Sequence, residues 1–276
     1  MKKIFLAAGL LIVLYMHTFA QAPQNYNLFK PVPRAQLREM ETDRPGVTES
    51  PQTIDAGHFQ YESDLFRYER LDGNYGVKHT YLFNQANLKL GITRSTAVQV
   101  VLESFVLTKE RLGEESEVAA NHGLGDVTLR IKQNIMGNDK GKFAIAVLPY
   151  LKFPTSVADE ESRYEGGLMV PMLLKVGKEW KLGMQLEADR LQDEEGNGHH
   201  NQILETLTIA HPLFKHLDGI AETYYTYNLK EKHWNNYLNA SLQFELAKDL
   251  KIDGGVNYGI QHDSSKSYFL GLSFRL

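Results

Sequence analysis

The sequence predicts an all-β fold, a transmembrane antiparallel up-and-down β-barrel of about twelve strands, preceded by a signal peptide and a short N-terminal segment. Three observations carry that prediction. Apolar and polar residues alternate with a period of two from Gly57 to the end of the chain. The alternating runs are about ten to fourteen residues long, whereas strands of soluble proteins centre on about 5–6. The connections between runs mostly alternate between long and short, as in a barrel with short periplasmic turns and longer outer loops, although the outer loops near Lys230–His233 and His262–Ser265 are short.

Residues 126–132 show the period most clearly. Val127, Leu129 and Ile131 fall on one face, and Asp126, Thr128, Arg130 and Lys132 on the other. A strand separates these sets because successive side chains point to opposite sides; a helix mixes them. The same split sets Leu182, Met184, Leu186 and Ala188 against Lys181, Gln185, Glu187 and Asp189. It also sets Leu238, Ala240, Leu242 and Phe244 against Asn239, Ser241, Gln243 and Glu245. In a barrel held in lipid the apolar set faces hydrocarbon and the charged set a wet lumen.

Twelve runs result, at 57–68, 79–92, 96–107, 124–135, 142–153, 167–177, 180–191, 201–211, 217–228, 234–246, 250–261 and 266–276. Each suffices to cross a bilayer, which takes a tilted strand about 9–11 residues. Glu69–Lys78, Thr108–Gly123, Pro154–Gly166 and Gln192–His200 read as long outer loops. Thr93–Ser95, Met136–Gly141, Gly177–Glu179 and Ala247–Asp249 read as short periplasmic turns. An even strand count leaves both termini in the periplasm. Tyr68, Trp180, Tyr225, Trp234 and Tyr268 stand at run ends, where interfacial girdles place aromatic rings.

The first twenty residues read as a signal peptide. Lys2 and Lys3 precede the apolar stretch Ile4–Tyr15, and the small Ala20 precedes the expected cut. Together with the barrel it predicts a mature chain in the bacterial outer membrane. After Gln21 no apolar run reaches eighteen residues, so no transmembrane helix is expected. A net charge of −4 over 276 residues gives no basic footprint for nucleic acid. The absence of cysteine excludes disulfides, thiolate metal sites and a lipid anchor on sulfur. No cofactor or metal is expected. The expected partners are the lipid bilayer and lipopolysaccharide, a small hydrophobic or aromatic solute, and the barrel assembly machinery, which would read the C-terminal strand.

Residues 21–56 are polar, contain several prolines and show no period. They read as a periplasmic segment, with a lumen plug or latch as one of its forms. Within it, Glu41-Thr42-Asp43-Arg44-Pro45 sets two carboxylates beside a guanidinium. A local salt-bridged turn and a latch binding lumen charges are the two readings of that motif. Candidates for the lumen lining are Glu62, Asp64, Lys89, Glu103, Asp126, Arg130, Lys132, Glu187, Asp189 and Arg275. They act either as a charge ladder that fixes register or as a selectivity lining. Asp126 is expected beside Arg130 and Lys132. His199-His200, after Asp193-Glu194-Glu195, offers a solvated loop or a divalent-ion site, and Asp159-Glu160-Glu161 is a similar acidic outer loop. A lipid hydrolase at the outer rim would need a Ser–His pair, and His262 with Ser264 or Ser265 is the nearest.

Four stretches resemble a family of Gram-negative outer-membrane proteins named for a meta-pathway of phenol degradation. They are Glu41-Thr42-Asp43-Arg44-Pro45-Gly46-Val47-Thr48-Glu49-Ser50-Pro51, Gly57-His58-Phe59-Gln60-Tyr61-Glu62, Gly123-Leu124-Gly125-Asp126-Val127-Thr128-Leu129 and Lys152-Phe153-Pro154-Thr155. The resemblance covers residues 41–276. It implies a barrel of this size and uptake of aromatic or other hydrophobic small molecules. The chain departs from the usual barrel ending in finishing on Leu276 instead of an aromatic residue, while Phe274 keeps the alternation. Three functions follow for testing: a transport barrel, a non-conducting structural or partner-binding barrel, and a rim lipid hydrolase.

Overall fold

The computed structural model of the protein describes residues 25–73, 76–113, 117–159, 161–193 and 198–276. The signal-peptide reading, and Glu160, Glu194 and Glu195 of the acidic loops, lie outside them. After a 3₁₀ turn at Arg34–Gln36 come β1 (Phe59–Gly73), β2 (Gly76–Gly91), β3 (Thr96–Leu112), β4 (Val118–Gly123), β5 (Val127–Met136), β6 (Phe143–Phe153) and β7 (Glu165–Val176). The remaining strands are β8 (Trp180–Gln192), β9 (His199–Phe214), β10 (Leu217–Asn228), β11 (His233–Ala247), β12 (Leu250–Gly259) and β13 (Lys266–Arg275).

All junctions are antiparallel, and β1 pairs with both β2 and β13, which closes the sheet. β4 and β5 both pair with β3, one on its Val106–Arg111 half and the other on Thr96–Leu102. They are two parts of one stave, so the wall has twelve staves. A closed ladder leaves no backbone edge, the condition for strands to cross hydrocarbon.

Burial is inverted relative to a soluble protein. Lys132 is 1% exposed and Glu62 1%, whereas Leu238 is 53% exposed and Leu270 54%. The apolar face points outward and the charged face inward, as the alternation requires. No described helix is long and apolar enough to cross a membrane. The short turns after β2, β5, β7, β9 and β11 lie at one end with Leu276, and by their shortness that end is the periplasmic one.

Two expected outer loops are strand instead. β1 and β2 continue as a hairpin to Gly73 and Gly76, with Arg70 opposite His79, and β3 runs on to Leu112 before returning as β4. Their charged residues hid the continuation, because above the membrane neither face of a ladder has to be apolar. The strand expected to begin at Leu124 is β5, which begins at Val127 after a break at 124–126 that separates it from β4. Gly125 explains the break, since a Cβ there would lie 2.2 Å from Glu103 Oε2.

The same level carries a register shift in β1, where Leu65 has no partner on β13. Asn84 of β2 sits there with φ 54°, a conformation its short polar side chain tolerates. Its carboxamide accepts hydrogen bonds from Tyr61 Oη and Ser63 Oγ (2.9 Å for the serine) and donates to Ser104 Oγ at 3.1 Å.

Candidate functional site: a charged segment against the barrel's inner face

The motif at 41–51 makes its ion pairs with the barrel wall and none within itself. The motif is therefore not a salt-bridged local turn. Asp43 pairs with Lys89 of β2 and, at 2.5 Å, with Lys132 of β5. Lys89 also meets Glu62, whose second oxygen accepts the backbone N–H of Asp43 at 2.9 Å. Arg44 reaches the staves on the other flank of β1. Its Nη1 lies 2.5 Å from Asp64 of β1, and its Nε and Nη2 form a fork on Asp253 of β12 at 3.1 and 2.6 Å. A Cβ on Gly271 would lie 2.0 Å from that guanidinium, so glycine makes the space. Glu41 pairs with Lys181 at 3.2 Å, and Glu49 with Arg130 at 2.8 Å and Lys132 at 3.2 Å.

Hydrogen bonds without a cationic partner hold the next stretch. Glu222 of β10 accepts the backbone N–H groups of Val47 and Thr48, both at 2.8 Å, and the Thr48 hydroxyl at 2.6 Å. Gln185 accepts the N–H of Glu49 at 2.9 Å, and Asn134 donates to the Pro51 carbonyl at 2.8 Å. At the periplasmic end, Asp55 takes Arg38 at 2.7 Å and Arg275 at 3.3 Å. Residues 38–55 are thus tied to staves all around the barrel.

Electrostatics favours the docked state. Burial opposes ionisation of Asp43, but Lys132 and Lys89 outweigh it and hold the carboxyl far below its ordinary range. Burial opposes the charge on Arg44 as well, and the Asp64 and Asp253 carboxylates more than compensate. Glu49 goes the other way: burial and then the charge of Asp43 raise it, against the pull of Lys132 and Arg130. A shared set of two lysines, one arginine and three carboxylates explains the contrast, because Asp43 takes the nearer cations.

Other candidates stand apart. Glu187 and Asp189 lie higher on β8, where Tyr150 donates to Asp189 at 2.8 Å and Gln185 to Glu187 at 2.8 Å. Glu103 accepts from Gln85 at 3.2 Å. Asp126 is not joined to Arg130 or Lys132. It accepts the N–H groups of Thr155 and Ser156 at 3.0 and 2.9 Å and the Ser162 hydroxyl at 2.6 Å, with Lys152 at 3.3 Å. The strand break turns it toward the outer loop and away from its expected neighbours.

Asp193 binds His200 at 3.0 Å and Lys230 at 2.7 Å, and among the described residues no cluster of three metal-ligating side chains occurs. Ser264 donates to Asn235 at 2.7 Å, and among the described residues no hydrogen bond joins it or Ser265 to His262.

Asp253, Glu222, Gln185 and Arg38 join the site without having stood out in the sequence. The inward parity of the first three was their only signal.

The family profile described as "Putative MetA-pathway of phenol degradation" matches residues 42–276. The chain belongs to this family. The match begins at Thr42, within the charged motif, and takes in the whole wall. No curated protein sequence matches the chain. Among solved structures, the COG4313 outer membrane channel from Pseudomonas putida F1 is similar at a TM-score of 0.62 and 11% identity, over 86% of this chain and 100% of that one. The NanC porin is similar at a TM-score of 0.51 and 12% identity, over 79% of this chain and 100% of that one. At these identities the likeness shows the fold, an outer-membrane porin-like barrel.

Proposed function

We propose that the protein is an outer-membrane channel for small molecules, and that residues 41–53 narrow its lumen. The observation that carries this reading is the pair of gaps left beside the tethered segment. One, of about 200 Å³, lies among Arg38, Asp55, Lys89, Gln99 and Lys132. The other, of about 110 Å³, is lined by Met172, Leu173, Ala210 and Ile220 with Thr208 and Lys181. The first suits water and ions. The second, partly apolar, suits a small aromatic or hydrophobic solute, the class that the family's description names.

Proteoliposomes test the reading. The mature chain should admit phenol-sized neutral solutes faster than protein-free liposomes, and a variant lacking residues 25–53 should admit them faster still. A folded parent and a folded deletion that both leave the liposomes tight would favour a non-conducting structural barrel.

A further inference from the structure

The outer wall carries a depression near the periplasmic rim that neither the lumen nor a uniform lipid belt accounts for. Outward-facing residues in its floor are small. Ala221 of β10 lies opposite Ala240 of β11, and Gly219 and Gly254 flank Leu242 on the neighbouring row. Taller side chains wall it: Ile209 and Leu213 of β9 on one side, Leu242 on the other. The hollow measures about 500 Å³ and its lining is almost wholly apolar. It closes at one end on Trp180, stacked on His211 with ring centroids 4.1 Å apart. His211 Nδ1 is buried there without a hydrogen-bond partner.

The occupant is set by what lies below the hollow. The periplasmic turns under β8 to β12 carry Lys178, Lys215, His216 and Lys248, all exposed. The three lysines make no ion pair among the described residues. An apolar slot running up from a row of free cations matches a molecule with an acyl chain and an anionic head. A second copy of the chain is disfavoured, because symmetric contact through this face would bring two sets of the same cations together.

We propose that this hollow binds one acyl chain of an anionic glycerophospholipid of the periplasmic leaflet. Its phosphate lies against Lys215 and Lys248, and His211 and Trp180 mark the level of the headgroup. The proposal is independent of whether the lumen conducts.

Native mass spectrometry of the mature barrel tests it, with dioleoyl phosphatidylglycerol and dioleoyl phosphatidylcholine as probes. The parent should retain one phosphatidylglycerol in preference to phosphatidylcholine. Ala240→Leu with Gly254→Leu, which fills the slot from the lipid side, should lower that retention about tenfold, equivalent to about 1.4 kcal/mol. Lys215→Glu with Lys248→Glu should abolish the preference for the anionic lipid while leaving the slot open. Should the filled variant fail to fold, the lysine variant still decides. Unchanged retention in a folded filled variant, or an unchanged lipid preference in the lysine variant, would overturn the proposal. So would a parent dimer that the filled variant dissociates, since a second copy would then occupy the face.

Discussion

Asp43 and Lys132, 89 residues apart in the chain, meet at 2.5 Å on the inner face of the barrel, where Lys132 is 1% exposed. Lys89 approaches the same carboxylate from β2. One side chain of an irregular segment therefore joins two staves that are separated by a third. Removing it strands two buried ammonium groups, each left with a single carboxylate, Glu62 or Glu49.

Asp43→Ala should accordingly cost about 3 kcal/mol, the low end for breaking a buried pair, because each lysine keeps one partner. Urea unfolding in lipid vesicles measures this. A loss under about 1 kcal/mol would mean that the pair is solvated and the segment loosely held.

The pH dependence follows from the same group. Its folded pKa is depressed below the ordinary 3.8, so its stabilisation is present above about pH 4 and fades as pH falls further. The Glu49 carboxyl is raised, so its contribution grows on mild acidification. Because the charge of Asp43 is one cause of the raised Glu49 carboxyl, the stability difference between the parent and Asp43→Asn should hold or widen from pH 7 to 5 and shrink only below about pH 4. A difference that vanishes by pH 5 would show that the two lysines do not hold the carboxylate ionised.

Much of this was legible in the sequence, and the boundary is physical. The twelve staves were legible because lipid outside and water inside impose a period of two on every crossing. The hairpin extensions at Arg70–His79 and in β4 were not, because outside the membrane that constraint lapses. The charged motif stood out at 41–44, but its partners did not. Asp64 is 20 residues from Arg44 and Asp253 is 209, and only closure of the barrel brings them to one guanidinium. Asp126 had the right parity for the lumen and was turned away by a glycine break that alternation cannot register.

The membrane-facing side of that wall can be tested at Leu129, which is 40% exposed. Leu129→Arg should lower stability in vesicles by about 2–4 kcal/mol if the site is near the midplane, while Leu129→Phe should be nearly neutral, because hydrocarbon accepts either apolar side chain. Comparable losses in both variants would indicate a packed protein core at that face.

Asp126→Ala should free the outer loop that follows β6. It removes the acceptor of two backbone N–H groups and the Ser162 hydroxyl, worth about 1–3 kcal/mol locally. Trypsin should then cut at Arg163 about tenfold faster or more, with the barrel intact. An unchanged rate would mean that other contacts hold the loop.

Residues 41–53 are proposed to set the width of the lumen. Single-channel conductance in planar bilayers tests it most directly, comparing the parent with a variant carrying Asp43→Ala and Arg44→Ala. Those substitutions remove the segment's ion pairs with Asp64, Asp253, Lys89 and Lys132 at residues 43 and 44 while leaving every strand in place. Openings of the parent should be small and those of the variant clearly larger. Equal conductance in two folded barrels would contradict it.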